Sequence, residues 1–201
     1  MAYGPGGIAV GKRRTVSQYR AVDLTLFAMM LFFFESIIIF ATNRWFPQEP
    51  YTVSVVPALT AIVLIRWGTW AGIHAFLGGL VLCIFSGAGL PQYVIYCVGN
   101  LFSLFSVLTF KAFGGKQGIS ASSLKTLLFG LEVLLLMQIG RALISLLFGN
   151  SLLTAAGFLT TEAVTDLFTL VILWIVRRLD GLLEDQYHYL LRLQEEERSN
   201  T

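Results

Sequence analysis

Two carboxylates, Glu162 and Asp166, lie four residues apart at the start of an apolar run that ends at Arg177 and Arg178. Four-residue spacing places both side chains on one face of a helix. An ionised side chain near a bilayer centre costs about 2.5–3.5 kcal/mol on insertion scales, so such residues face a cavity, a partner or one another. The pair therefore indicates either a polar binding site or a structural ion-pair network.

The two preceding apolar runs carry matching polar stripes. Gln138, Arg141 and Ser145 share one helical face by their spacing. The run before them presents a further polar stripe, formed by Gln92, Tyr96, Asn100 and Ser103. We predict that these stripes line one polar pocket open to the outside, in which the two carboxylates can pair with Arg141.

A structural interpretation of the same residues stays open. Arg141 could neutralise one carboxylate in a buried ion pair that fixes helix register, although such pairs contribute little net stability. One arginine facing two carboxylates, with amides and a tyrosine nearby, favours a site. Glu35, in the first apolar run, fits both interpretations, and Glu132 lies off the Arg141 stripe.

Motifs of known catalytic chemistry are absent from the sequence. It contains no HExxH, no GxSxG, no phosphate-binding loop, and no His, Glu and Asp cluster at metal-ligand spacing. It also lacks the Ser–Lys and paired-aspartate arrangements of intramembrane proteases. We therefore predict no enzyme activity, no cofactor and no nucleic-acid partner. An integral-membrane enzyme would need a nucleophile or a metal at the same depth.

Composition points to the elements that position these residues. The 201 residues are 56% hydrophobic and 13% charged, whereas soluble domains carry about 25% charged residues. A spanning helix needs about 20 apolar residues. We predict an all-α bundle of six transmembrane helices, at 24–43, 52–66, 70–87, 92–113, 124–148 and 158–176. Only RWGTW separates the second from the third, which predicts a tight hairpin or a partly re-entrant pair.

The distribution of basic residues predicts the topology. With the N-terminus in the cytoplasm, twelve Lys and Arg residues lie inside and only Arg44 lies in an outer loop. This bias agrees with the positive-inside rule and supports an even number of spans with both termini inside. The domains are then a basic cytoplasmic arm at 1–23, a transmembrane domain at 24–178 and a cytoplasmic tail at 179–201.

The tail predicts an amphipathic helix, because its apolar residues recur at helical spacing: Leu182, Leu183, Tyr187, Leu190, Leu191 and Leu193. Such a helix lies on the membrane or on the bundle, or it docks a partner. A second packing signal is the small-residue stripe of Ala71, Ala75 and Gly79, which permits close helix approach. It serves either internal packing or an interface with another transmembrane subunit.

The stretch RWGTWAGIHAFLGGL followed by PQYVIYCVGN resembles the middle of the substrate-binding S components of energy-coupling factor (ECF) transporters. The basic N-terminus, six helices in about 200 residues and an outward-facing polar site agree with that family over 24–178. One departure is that the first helix lacks the AxxxA pattern through which S components contact the coupling subunit. Here Ala71 and Ala75 carry that spacing on the third helix.

The resemblance implies a function. An S component in the bacterial plasma membrane captures a vitamin or other micronutrient, then topples to release it inside. A transmembrane coupling subunit and two ATPase subunits from other chains drive this movement. The loop 43–51, with Trp45, Phe46 and Tyr51, would serve as a lid. The implied substrate-binding residues are Trp45, Gln92, Tyr96, Asn100, Gln138, Arg141, Glu162 and Asp166.

The main alternative is a structural or assembly protein similar to the MreD class of cell-shape proteins, which are also small and polytopic. The two functions predict different surroundings for Arg141. An assembly protein would close Arg141, Glu162 and Asp166 into a dry, fully paired network. A solute-binding protein would leave a cavity open to the outside, and two acids against one arginine would favour a cationic or amphoteric solute.

Overall fold

The computed structural model describes residues 15–46, 53–179 and 181–199. The arm residues Lys12, Arg13 and Arg14 and the lid residue Tyr51 lie outside the described residues. Regular structure in the described ranges is entirely helical. Its α-helices are α1 (Val16–Trp45), α2 (Val56–Trp67), α3 (Gly72–Ser86), α4 (Leu90–Asn100), α5 (Gly115–Ala121), α6 (Ser123–Leu147), α7 (Leu152–Thr160), α8 (Ala163–Val176) and α9 (Gln186–Ser199). Segments Gly68–Ala71 and Leu101–Thr109 are 3-10 helices.

Five helical stretches of the described chain are long and apolar enough to cross a membrane. They are Val16–Trp45, Val56–Ser86, Leu90–Thr109, Ser123–Leu147 and Leu152–Val176. Large apolar side chains of α1, such as Met29, Phe33 and Phe40, are exposed on its outer face, where hydrocarbon rather than water would cover them. The prediction of an all-α fold is confirmed, and the five apolar stretches support a multi-pass membrane protein.

The stretch Val56–Ser86 folds back on itself. In one straight helix, Val56 and Gly78 would lie about 33 Å apart at 1.5 Å per residue. Instead, a β-carbon on Gly78 would overlap the side chain of Val56. The chain reverses at Gly68, whose φ of 64° suits glycine. The second and third predicted helices therefore lie side by side, an arrangement that both the predicted tight hairpin and the predicted re-entrant pair would have.

Helix α2 is the centre of the bundle. Each of its residues is buried, and it packs against α1, α3, α6 and α8. Its sequence VPALTAIVLIRW is apolar on every side, which is the pattern of a helix enclosed by others. Among the elements that carry the polar residues, α1, α6 and α8 therefore pack directly on this buried helix.

Three predicted boundaries differ from the structure. Helix α1 begins at Val16 instead of near 24, because Thr15 and Gln18 form a reciprocal capping box. The predicted fourth helix changes at Leu101 into a 3-10 segment. The predicted sixth helix is two helices, α7 and α8, interrupted at Thr161 and Glu162.

One end of the bundle, here called the basic pole, gathers the start of α1, the end of α2, the end of α8 and the tail. The Arg66 guanidinium donates to the Asp23 carboxylate at 3.0 Å and to the carbonyls of Gly181 and Leu182 at 2.9 Å. Lys116 pairs with Asp185 at 3.2 Å. Arg20, Lys125 and Arg177 contact Trp70, the Phe113 carbonyl and the Ala121 carbonyl at this end.

The tail therefore docks on the bundle in this structure. Leu183, Asp185 and Gln186 are buried where the tail meets the basic pole. Tyr187, Tyr189 and Leu193 of α9 remain partly exposed. The predicted amphipathic helix exists, and its entry segment is held by Arg66.

Replacing Arg66 with lysine is expected to loosen the tail. Lysine keeps the charge but lacks the planar guanidinium group, whose several N–H donors reach Asp23 and two tail carbonyls at once. Hydrogen bonds to charged groups contribute about 1.5–3 kcal/mol each. Amide hydrogen exchange over 183–186 should therefore accelerate by roughly tenfold or more. Arg20→Lys is the matched control, because Arg20 lies at the same pole and contacts Trp70 instead of the tail. Equal exchange rates in the two variants would contradict this role for Arg66.

Candidate functional site

Arg141 on α6 is the centre of a buried polar network. Its side chain is only 4% exposed. Its Nε donates to Asn100 Oδ1 at 2.7 Å, and its Nη1 donates to the Glu162 carboxylate. The guanidinium carbon lies 5.1 Å from the centre of the Tyr96 ring. Helix α4 and the break before α8 thus supply the partners of this one arginine.

Close contact between α4 and α6 makes this arrangement possible. A β-carbon on Gly99 would lie 2.7 Å from the Arg141 backbone nitrogen, and one on Gly140 would collide with the Gly99 carbonyl. Glycines allow such backbone approach. Asn100, the next residue, therefore reaches Arg141 with its oxygen while its Nδ2 donates to the Ala75 carbonyl at 3.0 Å. One amide side chain connects α3, α4 and α6.

The break between α7 and α8 separates the two carboxylates of the predicted pair. Glu162 occupies the residue before α8 begins, is 4% exposed, and binds Arg141. Asp166, one turn later, is half-buried and accepts from Gln138 Nε2 at 3.0 Å. Of the two acids, Glu162 therefore pairs with Arg141, and Asp166 does so with Gln138 instead. The prediction that they share a continuous helix is wrong, because Glu162 lies at the break.

Glu35 of α1 belongs to the same region. Its side chain is 0% exposed. Its Oε2 accepts from the Val55 amide at 2.9 Å, while Oε1 is buried without a hydrogen-bond partner. Arg141 and Glu162 lie within electrostatic range of the carboxylate, and the Ser54 hydroxyl is close enough to interact with it as a donor, although it makes no hydrogen bond to Oε1. A buried polar atom left unpaired costs about 1–3 kcal/mol, and more when charged, so this oxygen is an unmet acceptor.

A groove of about 500 Å³ lies between α1 and α8 at the end opposite the basic pole. It is lined by Ile38, Ala41, Thr42, Trp45, Phe46, Val53 and Val164. Ile38 and Thr42 follow Glu35 on its own helix face at spacings of three and seven. Val164 stands between Glu162 and Asp166 in the chain. The groove, here called the α1–α8 groove, has the size of a small-molecule site.

Six of the eight predicted binding residues come together in the network: Tyr96, Asn100, Gln138, Arg141, Glu162 and Asp166. Trp45 is 72% exposed and is the one predicted binding residue among those that line the α1–α8 groove. This groove is therefore not the polar pocket predicted between the fourth, fifth and sixth helices. Gln92 is exposed on the first turn of α4, and no described contact joins it to the network. The sequence alone did not decide whether Glu35 has a binding or a structural role. The signal was its position inside the apolar stretch LFFFESIIIF, where a carboxylate is costly.

The small-residue stripe is used within the chain. Ala71, Ala75 and Gly79 are buried, and a β-carbon on Gly79 would lie 2.7 Å from the backbone of Tyr96 and Cys97. The stripe therefore packs α3 against α4. The predicted alternative, an interface with another subunit at these residues, is corrected because they are covered by their own chain.

Comparison of the chain with known proteins finds no matching family model, no matching curated protein and no matching solved structure. In the described part of the chain, no group of three or more His, Cys, Asp or Glu side chains is placed to hold a metal ion. Any function assigned to this protein therefore follows from the chemistry of the polar network and the α1–α8 groove.

Proposed function

We propose that the chain is the substrate-capture subunit of an ECF-type micronutrient uptake system and binds a small polar solute beside the polar network. The observation that carries this proposal is Glu35. It offers a buried carboxylate oxygen without a partner, on the helix face that continues into a groove of about 500 Å³. An intramembrane ionisable residue in such a position is a candidate functional group.

Charge pairing supports a cationic or amphoteric solute. Arg141 is already engaged by Glu162 and Asn100. Glu35 and half-buried Asp166 are then the carboxylates with acceptor capacity left for a ligand. A solute that carries positive charge complements both.

The proposed topology has six crossings with both termini in the cytoplasm of a bacterial cell. The hairpin turns Val56–Ser86 into two short crossings of about 18 and 22 Å, enclosed by longer neighbours. The basic pole gathers Arg20, Arg66, Lys116 and Arg177, and the positive-inside rule assigns such an end to the cytoplasm. The network then lies in the outer half of the membrane.

Energy for uptake would come from other chains. The proposed partners are a transmembrane coupling subunit and ATPase subunits supplied in trans, together with the surrounding lipid. The chain itself has the role of binding and releasing the solute, without catalysis. Ala71 and Ala75 are occupied by internal packing, so the coupling subunit would contact another face.

A second candidate, the assembly protein, is favoured by one observation. Arg141 and Glu162 are each 4% exposed and bind one another directly, which is the closed pairing that this class predicts. In that case the network fixes helix register, and the exposed helix faces bind partner proteins. Glu35, with its unpaired oxygen, and half-buried Asp166 fit this candidate less well.

The proposed function predicts a ligand-dependent gain of thermal stability. The detergent-purified protein is screened against water-soluble vitamins and related metabolites, and a binder at 100 times its Kd should add about 2.7 kcal/mol. Asp166→Asn should fold and lose the gain. Glu132→Gln is the matched control, since Glu132 accepts from Thr109 away from the network. The absence of any hit with the wild-type protein would favour the assembly role.

A further inference from the structure

An apolar seam runs along the bundle between α1 and α8, with α2 as its floor. A second cavity, of about 360 Å³, continues the α1–α8 groove towards the basic pole; its lining includes Phe27, Met30 and Phe34 of α1 and Phe168 and Ile172 of α8. The α1 residues that line the two cavities recur at helical spacing: 27, 30, 34, 38, 41 and 45. Glu35 lies beside this seam, between its two cavities along the helix.

The Glu35 carboxylate is oriented so that it can accept one further hydrogen bond. The Val55 amide holds one carboxylate oxygen at 2.9 Å, which fixes the orientation of the group and leaves Oε1 free. A carboxylate is acceptor-only, and burial makes an uncompensated negative charge costly. A positively charged donor would both pair with Oε1 and neutralise the buried charge, through a single charge-assisted hydrogen bond.

The groove above Glu35 fits the remainder of such a ligand. Six of its seven lining residues are apolar or aromatic, and Thr42 is the exception. The Trp45 and Phe46 rings at its rim can also attract a cation through their faces. A hydrophilic body, such as a sugar or a phosphate, would lose its hydration here without gaining partners.

We infer that the solute is an amphiphilic amine, which places its ammonium group on Oε1 of Glu35 and its apolar body in the α1–α8 groove. This rests on the proposed capture function and names the solute class of that site. Because Glu35 is fully buried and does not line the groove itself, the ammonium reaches it only when side chains of the groove wall move aside. Glu35 is then a binding residue, and Arg141 with Glu162 forms the wall behind it.

Three probes with one carbon skeleton test the inference: 2-phenylethylamine, 2-phenylethanol and phenylacetate. The amine should raise the melting temperature of the wild-type protein, and the alcohol and the acid should not. Glu35→Gln keeps an acceptor for the Val55 amide and should fold, but it should bind the amine roughly tenfold more weakly or worse. Glu132→Gln should bind the amine as the wild type does.

A second variant keeps the test informative if Glu35→Gln fails to fold. Ala41→Trp fills the groove without touching the carboxylate, and it should also remove the effect of the amine. Equal stabilisation by the amine and the alcohol, an undiminished amine effect in the variants, or no amine effect in the wild type overturns the inference. The capture function is judged separately, because a vitamin or metabolite hit that is insensitive to Glu35→Gln would leave it standing.

Discussion

Replacing Arg141 with alanine should lower the free energy of unfolding by about 3–5 kcal/mol, because Glu162 would remain buried without its partner. Both side chains are 4% exposed and bind directly, so water cannot easily take the place of the guanidinium. Asn100 would lose its partner as well. Against a total stability of about 5–15 kcal/mol, this loss is severe. Chemical unfolding in mixed micelles, followed by circular dichroism, measures it.

The control for Arg141 is a double-mutant cycle. Arg141→Met combined with Glu162→Met removes both charges and should recover most of the stability lost in either single variant, since apolar replacement of a buried pair is often neutral. Strict additivity of the two single losses would contradict direct coupling. So would a loss below about 1 kcal/mol for Arg141→Ala, which is the range of exposed ion pairs.

Gly99→Ala should cost about 3 kcal/mol or more. The new methyl group would lie 2.7 and 2.8 Å from the backbone nitrogen and Cα of Arg141. Overpacking typically costs 1–3 kcal/mol, and here the obstacle is backbone that cannot rotate away. Helix α4 must therefore move off α6, which also lengthens the contact between Asn100 and Arg141. The same unfolding measurement reports this loss.

Gly157→Ala provides the matched control for Gly99→Ala. Gly157 lies within α7, and a β-carbon there meets nothing within 4 Å. Alanine is favoured over glycine in a helix by about 1 kcal/mol, so this variant should be neutral or slightly stabilised. If Gly99→Ala were as stable as Gly157→Ala, the close approach of α4 and α6 would be refuted.

The pattern of apolar residues in the sequence was sufficient to predict the long, uninterrupted helices. The predicted helix 124–148 agrees with α6 (Ser123–Leu147), because its apolar pattern is continuous and ends at Gly149 and Asn150. Spacing also placed Gln138, Arg141 and Ser145 on one buried face. The start of α1 was readable in principle, since Thr15 and Gln18 have the capping-box spacing.

Features that depend on tertiary contacts could not be predicted from the sequence. No Gly or Pro marks the break at Thr161 and Glu162, and the break lies where Glu162 meets Arg141 from the neighbouring helix. The partner of Glu35 is a backbone amide twenty residues away, across the connection between α1 and α2. Such a contact follows from helix register, which a single sequence leaves undetermined.

Different residues stabilise the fold and provide the proposed binding site. Experiments can therefore test stability and binding independently. Arg141 and Gly99 hold α4 and α6 together, so their variants report on stability. Glu35 and Asp166 have acceptor capacity beyond the fold's own needs. Conservative variants at these two positions should leave the fold intact while changing binding.

The most direct test of the capture function is to identify the small molecules released when the purified protein is denatured. Protein is prepared rapidly from native membranes, as wild type and as Asp166→Asn, and the released compounds are quantified by mass spectrometry. The capture function predicts one positively charged solute in near-equimolar amount with the wild type and its depletion from the variant. The same compounds in equal amounts from both proteins would contradict it.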